Sequence, residues 1–419
     1  MLERYVKHDP DPREILACIV AMGTNMGLGR MSEVSGISHP SLMASARNYL
    51  RPETLRSAND AITNAISKLP AFHLYDIREE MHSSSDGQRM ETQHNTFNSR
   101  HSPKYFGLQK GVSSITLVAN HVPINAKIIG THEHESHYVF DLLHNNSSDI
   151  RPDRHSTDTH GTNQVNFIIL RAFEYEFAPR YKNFPKKVES IIGFQNPNQY
   201  GDALIKPCRR VYDELIIQEW PNIQRILASL AQKDVTQSTI VRKLSSYTRQ
   251  NSTKRALWEL DNLCFTEYVL KYIDDPGLRQ GVQKALNRGE AYHRFRRAVA
   301  YVNAGKFRVR TEEEQHIWNE CSRLIANAVI FYNTVLLSRV YEQKLALEDE
   351  VAIELMRRIS PIAWQHINLF GTFEFSQNAT KVDIDALVAI YSDPTHWLNA
   401  IKEEVDPSVP SKKKPSPKT

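Results

Sequence analysis

The chain has 419 residues, 41% of them hydrophobic and 24% charged, with 52 basic against 48 acidic side chains and a net charge of +4. That length allows about three domains and a large core, and so modest a charge permits nucleic-acid binding only through local basic clusters. Cys18, Cys208, Cys264 and Cys321 are scattered without CxxC spacing, which excludes a zinc ribbon or a disulfide framework and fits a reducing compartment.

Met1-Leu2-Glu3-Arg4 leads into charged residues rather than an apolar run. The longest apolar stretch, residues 324–337, is interrupted by Asn327 and Asn333 and falls short of the ~20 residues a membrane span needs. A soluble, cytoplasmic protein without membrane contact is expected. Residues 1–75 read as a helical region, a candidate for DNA binding or dimerisation. Asp11 suits a helix cap, Pro12 the first turn, and Glu14 can reach back to the cap. Ile15, Leu16, Ile19, Val20 and Met22 supply its apolar face. Residues 31–34, a turn at Gly36-Ile37-Ser38 and residues 41–50 have helix-turn-helix spacing. An ordinary packed pair is the plainer reading, since only Arg47 and Asn48 offer base-reading side chains. A further helix over 52–69 ends at Pro70.

The pattern then turns to strands. Ser84-Ser85-Asp86-Gly87-Gln88-Arg89 sets a carboxylate among small residues in a tight, exposed backbone setting, with donors close behind. Residues 113–118 and 124–130, separated by Asn120 and Pro123, predict a hairpin or meander. Residues 134–144 read as a helix with Tyr138, Val139, Leu142 and Leu143 on one side. A short strand is expected to end at Asp158, followed by a helix over 163–173 and a fifth strand over 188–194. Helices follow at 209–230, 238–247, 254–273, 278–301 and 313–345, with a break at Asp275-Pro276-Gly277. The order, a strand with Asp86, two strands, a helix, a strand with Asp158, a helix, a strand and later a helix with Glu290, predicts an α/β chain. A mixed-sheet core begins at 76–200. A helical insertion at 201–275 separates it from a core helix at 276–303 that carries Glu290. A helical region at 304–404 and a basic, Pro/Ser-rich disordered tail at 405–419 complete the chain.

Asp86, Asp158 and Glu290 are the candidate chemistry. Phosphodiester cleavage by paired metal ions needs oxygen ligands holding two hard cations roughly 4 Å apart. Three carboxylates suffice if Asp86 bridges and Asp158 and Glu290 each complete one side. Mg2+ suits such a site because it takes few protein carboxylates. Taken singly, each acid has a plainer reading: Asp86 as a turn residue before glycine, Asp158 as a helix cap, Glu290 as a solvent-facing helix residue.

Context joins them. The segments Ser84-Ser85-Asp86-Gly87-Gln88-Arg89, Lys104-Tyr105-Phe106-Gly107, Thr157-Asp158-Thr159-His160-Gly161, Phe177-Ala178-Pro179-Arg180, Leu286-Asn287-Arg288-Gly289-Glu290 and Ser360-Pro361…His366-Ile367-Asn368…Gly371 occur in that order. Together they resemble the catalytic half of Tn-three family (gamma-delta class) replicative DDE transposases, over nearly the whole chain. The resemblance implies a ribonuclease-H-like fold with a helical insertion before the glutamate. It assigns Asp86, Asp158 and Glu290 as catalytic metal ligands for two Mg2+ ions, with Mn2+ able to substitute. It implies hydrolysis at a transposon end, attack of the freed 3′-hydroxyl on target DNA, a cointegrate product, and a homodimer, nucleoid-associated when DNA-bound. From the same motifs Arg89, Lys104, Arg180 and Arg288 are placed either to meet phosphates or to form salt bridges. His160 either orients water or DNA or is structural. Gln88 and Asn287 are expected to orient the carboxylates. Family members also carry a long N-terminal end-recognition region, which the resemblance here does not include.

Two rival readings stand beside this one. His132-Glu133-His134-Glu135-Ser136-His137 is rich in zinc ligands, but its spacing departs from HExxH because the second histidine comes too early. A catalytically silent DNA-binding or partner-binding remnant would use the helix pair near the start and the basic Arg294-Phe295-Arg296-Arg297 cluster.

Overall fold

The computed structural model describes residues 9–246, 251–368, 371–376 and 382–392; the expected basic tail lies outside them. The chain opens with α1 (Pro12–Gly23), α2 (Leu28–Ser35), α3 (His39–Tyr49) and α4 (Pro52–Ser67). Asp11 caps α1, its side chain accepting from the Arg13 N–H. Glu14 does not reach back to the cap: its carboxylate accepts from Ser41 and Ser45 and so ties α3 to α1. Gly36 ends α2 at φ +69°, where a side chain would be strained. Leu42 and Ser45 are buried in the same helical cluster, as the packed-pair reading requires.

The next elements are β1 (His82–Glu91), β2 (Arg100–His101), α5 (Pro103–Phe106), β3 (Lys110–Ala119), β4 (Val122–Gly130), α6 (Val139–His144), β5 (Arg154–Ser156), α7 (Asn166–Ala172) and β6 (Glu176–Phe177). They form a mixed sheet in the order β4-β3-β1-β5-β6, with β2 beside the start of β3. The β4–β3 and β3–β1 pairs are antiparallel; β1–β5 and β5–β6 are parallel. Asn120 and His121 make the β3–β4 turn, both at positive φ, as a two-residue hairpin of matching twist demands.

Two expectations need correction here. Asp86 does lie on a strand, as the order of elements predicts, but not in a tight, exposed setting: β1 is a ten-residue strand paired with β3 along most of its length. Residues 188–194 do not supply the fifth strand of this sheet. Only Ile192–Gly193 (β7, after the short helix α8, Phe184–Val188) is extended, and it pairs with Arg209–Arg210 (β8) in a separate two-stranded sheet. Its apolar residues are covered by helix rather than by strands, with Ile192 N–H donating to Thr266. The parallel neighbour of β5 is instead Glu176–Phe177, too short to carry a periodic signal. Residues 134–144 are also less regular than predicted, a 3-10 turn over Glu135–Tyr138 preceding α6.

Helices complete the chain: α9 (Asp213–Ala231), α10 (Gln237–Ser246), α11 (Ser252–Asp274), α12 (Pro276–Val299), α13 (Glu312–Ala346), α14 (Glu350–Met356) and α15 (Ile384–Ser392). By length and composition α13 is long and apolar enough to cross a membrane, which residues 324–337 alone had not suggested. Here it packs against α1, α4 and β4. Fully buried Arg296 of α12 donates from its two terminal nitrogens to Ser114 on β3 and Asn319 on α13, which pins the helix–sheet seam.

The central strand is polar where a core strand is usually aliphatic. His82, Ser83, Ser84 and Ser85 are all buried. Each finds a partner: His82 with Ser156 at 2.7 Å, Ser83 and Ser85 with the two ring nitrogens of His155 at 2.9 and 3.0 Å, and Ser84 donating to the Ala285 carbonyl at 2.7 Å. Small residues let α12 lie on this hydroxyl surface. Gly281, Ala285 and Gly289, one turn apart, are buried on its inner face, and a Cβ at Gly289 would come within 3.2 Å of the Ser84 hydroxyl.

Burial pushes the His155 imidazole down to about 3, below the ordinary histidine value of about 6.5. Between those values the unfolded chain takes up a proton that the fold refuses, so this contribution to stability is present above pH 6.5 and is lost as pH falls. A His155→Gln variant, whatever its stability at pH 7, is therefore expected to lose less on going from pH 6.5 to pH 4 than the wild type. Urea unfolding across that range should show a difference of about 1 kcal/mol per pH unit; parallel profiles would contradict it.

Candidate active site

Strand alternation places the first two acids. Along β1, Ser84, Asp86 and Gln88 share the face that meets α12, while Ser83, Ser85, Gly87 and Arg89 share the other. The β1–β5 register ends at Ser84 opposite Ser156. Two residues further along both strands lie Asp86 and Asp158, on the same face. There the strands part and leave their carboxyl ends open, as ligand clefts in α/β sheets generally require. Glu290 follows Gly289 on α12 and is exposed at the rim.

The acids feel one another. Asp86 is raised to about 6, chiefly by burial, then by Asp158, with Glu290 adding to the rise; the Gly87 N–H and Arg89 oppose it. Its Oδ1 accepts from the Gly87 N–H at 2.8 Å. Asp158 does what a cap does while standing at the site: its Oδ1 accepts from the His160 and Gly161 N–H groups at 2.8 and 3.2 Å. Gly161 is required there, because a Cβ would overlap Thr157.

Two groups join that the sequence reading did not assign. Glu135 sits under Gly87 on the opposite face, so close that a Cβ at Gly87 would overlap its carboxylate. It is buried and raised to about 7 by that burial and then by Asp86; Arg89, 3.7 Å away, pulls it down. His293, one turn beyond Glu290, brings Nδ1 to 3.5 Å from Asp86 Oδ2. Burial, then Arg296 and Arg297, push it down to about 3, so it is neutral. Glu135 belongs to the histidine-rich run singled out as a zinc candidate, and His293 is three residues from Glu290 on a helix. Both signals were present in the sequence.

The remaining predicted residues divide. Gln88 is buried and donates to the His293 carbonyl at 3.3 Å, bracing the strand against α12. Arg89 stacks 4.0 Å from the Tyr105 ring centre, and Lys104 lies 5.1 Å from the same ring. His160 is exposed beside Asp158. Arg180 donates to Gln283, which donates to Asn287, a chain along the outer side of α12. Arg288 is brought elsewhere: its guanidinium donates to Asn120 at 3.1 Å and to the Tyr75 carbonyl at 2.6 Å. Burial pulls it down to about 10. It anchors α12 to the β3–β4 turn.

Three carboxylates with no thiolate form an all-oxygen set that suits a hard divalent cation, and the mutual repulsion at Asp86 is what a bound cation would relieve. Among the described residues no three His, Cys, Asp or Glu side chains are already closed around a metal-sized space. The chemistry of the donors fits, and closure requires side-chain movement. The run 132–137 likewise does not gather its histidines: Glu135 goes to Gly87, and His134 bonds Ser136.

Known proteins extend this picture. Residues 1–373 match the Tn3 transposase DDE domain, and the chain belongs to that family. It is 31% identical over 378 residues to the transposase for transposon Tn2501 of Escherichia coli, covering 88% of this chain and 37% of that one. It is 29% identical to the transposase for transposon Tn1546 of Enterococcus faecium, over 89% and 37%. Against the transposase for transposon gamma-delta of Escherichia coli strain K12 the identity is 28%, over 89% and 37%. The chain thus spans little more than a third of the length of these relatives.

If the acids repel as described, Asp158→Asn keeps the cap and removes the charge. NMR titration should then show Asp86 falling from about 6 toward the ordinary carboxylate range; an unchanged value would mean that burial alone raises it. Because a metal needs the ionised carboxylates, Mn2+ affinity measured calorimetrically should drop steeply below pH 6.

Proposed function

We propose that this chain is the catalytic part of a DNA transposase, cutting a DNA strand and joining the freed 3′-hydroxyl to a target phosphodiester. The observation that supports the reading is the electrostatic coupling of Asp86 to both Asp158 and Glu290, which come from β1, the end of β5 and α12. Sheet order supports a ribonuclease-H-like core: three antiparallel strands, the first pairing a parallel fourth that is followed by a parallel fifth. On this reading residues 76–200 begin the core, α9 to α11 fall within a helical insertion at 201–275, and α12 returns the glutamate. The helical stretches at 1–75 and 304–404 flank it.

The residues take distinct roles. Asp86, coupled to both of the other acids, would be the carboxylate common to the two ions, and Asp158 and Glu290 would each help to hold one. When bound, two Mg2+ ions, or Mn2+, would activate the attacking oxygen and stabilise the leaving one. Asp158 is held in one orientation by two backbone N–H groups. Neutral His293 limits the swing of Asp86, and Gln88 fixes the helix that carries both His293 and Glu290. Arg89 and Lys104 offer positive charge to a phosphate near the strand end. A homodimer acting on two transposon ends and a target, with a cointegrate as product, is the corresponding assembly.

Supercoiled plasmid incubated with the 419-residue chain and Mg2+ or Mn2+ should be nicked. Asp86→Asn, Asp158→Asn and Glu290→Gln should each lower the rate by at least about 100-fold while still binding the plasmid. Nicking that survives all three substitutions would refute the assignment. Binding without nicking by the wild type would favour a catalytically silent DNA-binding remnant.

A further inference from the structure

Between β1 and β3 the chain displays two aromatic rings and a leucine that the proposed chemistry does not use. Phe97 is 86% exposed, Tyr105 is 43% exposed and Leu108 is 90% exposed. A solvent-facing ring at a loop tip is unremarkable when the loop is loose. This loop is not. Thr96 and Ser99 are buried, and Ser99 Oγ both accepts from the Thr96 N–H and donates to the Thr96 carbonyl. Gln315, fully buried on α13, donates to Thr96 Oγ1 and accepts from Asn98, each at 2.8 Å. A closed polar cage therefore holds the residues on both sides of Phe97 and leaves the ring projecting.

The second ring is fixed differently. The Arg89 guanidinium lies against Tyr105, and Glu135 holds Arg89 from behind. Phe106 packs on Gly111 at the start of β3, the residue that also pairs with Arg100 of β2. Both rings thus flank one end of β3, and each has a cation close by: Arg100 over Phe97, and Arg89 and Lys104 beside Tyr105. Arg89 is three residues along β1 from Asp86, roughly 10 Å; it points to the other face of the strand, yet its charge still reaches the Asp86 carboxylate.

Rings with a free face beside cations fit one kind of partner: a nucleotide whose base has left the helical stack. Paired bases hide their faces inside the duplex and offer only edges and backbone. An unpaired base offers a face to stack and a phosphate to neutralise, and such stacking is sequence-tolerant. We infer that the Phe97–Tyr105 surface binds unpaired bases of the DNA strand entering the Asp86 site. The inference rests on the reading of the chain as a DNA-cutting transposase part, and adds that the DNA is opened next to the cut.

The test is fluorescence anisotropy with the 419-residue chain in Ca2+, comparing a duplex frayed at one end by a few mismatched pairs with the fully paired duplex. The wild type should prefer the frayed DNA by about tenfold. Tyr105→Ala should abolish that preference, Phe97→Ala should reduce it, and Tyr105→Phe, which keeps the ring, should retain it. Tyr212→Ala is the control. Tyr212 is 55% exposed with Arg209 stacked at 5.1 Å, an equivalent pair on the helical side of the molecule, and its loss should leave the preference intact. Equal binding of both DNAs by the wild type, a preference that survives Tyr105→Ala, or an equal loss in Tyr212→Ala would overturn the inference. If the DNAs bind equally while plasmid is still nicked, only this inference falls. If neither DNA binds, the transposase reading falls with it.

Discussion

Like charges at one strand end govern this structure. Asp86, Asp158 and Glu290 face one side of the sheet, and Glu135 presses on the same strand from the other side through the gap left by Gly87. Arg89 is the cation in direct reach, and it cannot balance four acids. The fold answers by holding three of the carboxylates through groups that keep their shape: backbone N–H donors at Asp158, a neutral imidazole at Asp86, a glycine contact at Glu135. An under-neutralised cluster of carboxylates is what a hard divalent cation would occupy favourably once Glu290 swings in.

That requirement explains the unusual strand. An aliphatic β1 would pack well but would hold α12 further away, and Glu290 with it. Serines shorten the distance, and the Gly281, Ala285 and Gly289 face of α12 uses the shortening. Burying so many hydroxyls demands partners, which His82, His155 and Ser156 supply within the β1–β5 pair. Arg288 then fixes the helix at its far side, where Tyr75 and the β3–β4 turn meet; Ser360, bonded to His121, lies in the same corner. What serves the site and what stabilises the core are here the same contacts.

Much of this was legible in the sequence. The helices from α9 to α13 announced themselves by spacing, and the β3–β4 hairpin by its β-branched runs and Asn120. The three acids were legible only through ordered motifs, because each alone has an ordinary reading; Asp158 indeed caps a turn as well. The strand of Asp86 was expected from the order of elements rather than from periodicity, because its buried side chains are hydroxyls and imidazole, and β6, two residues long, was not expected at all. Periodicity promoted residues 188–194 to a sheet strand because a helix-covered apolar run looks the same in sequence. For Arg288 position in a motif left a phosphate contact and a structural contact open, and its side chain leaves the site to anchor α12. Glu135 stood out in the sequence only as part of the histidine-rich run, and it is the fold that brings it under Gly87.

The central claim is that the acids of β1, β5 and α12 form one divalent-metal site, and crystals soaked in Mn2+ test it most directly. Anomalous scattering should place manganese between Asp86 and Asp158, and a second ion toward Glu290, with the Asp86 carboxylate shared. Manganese bound only elsewhere, or absent from these side chains at saturating concentration, would contradict the account.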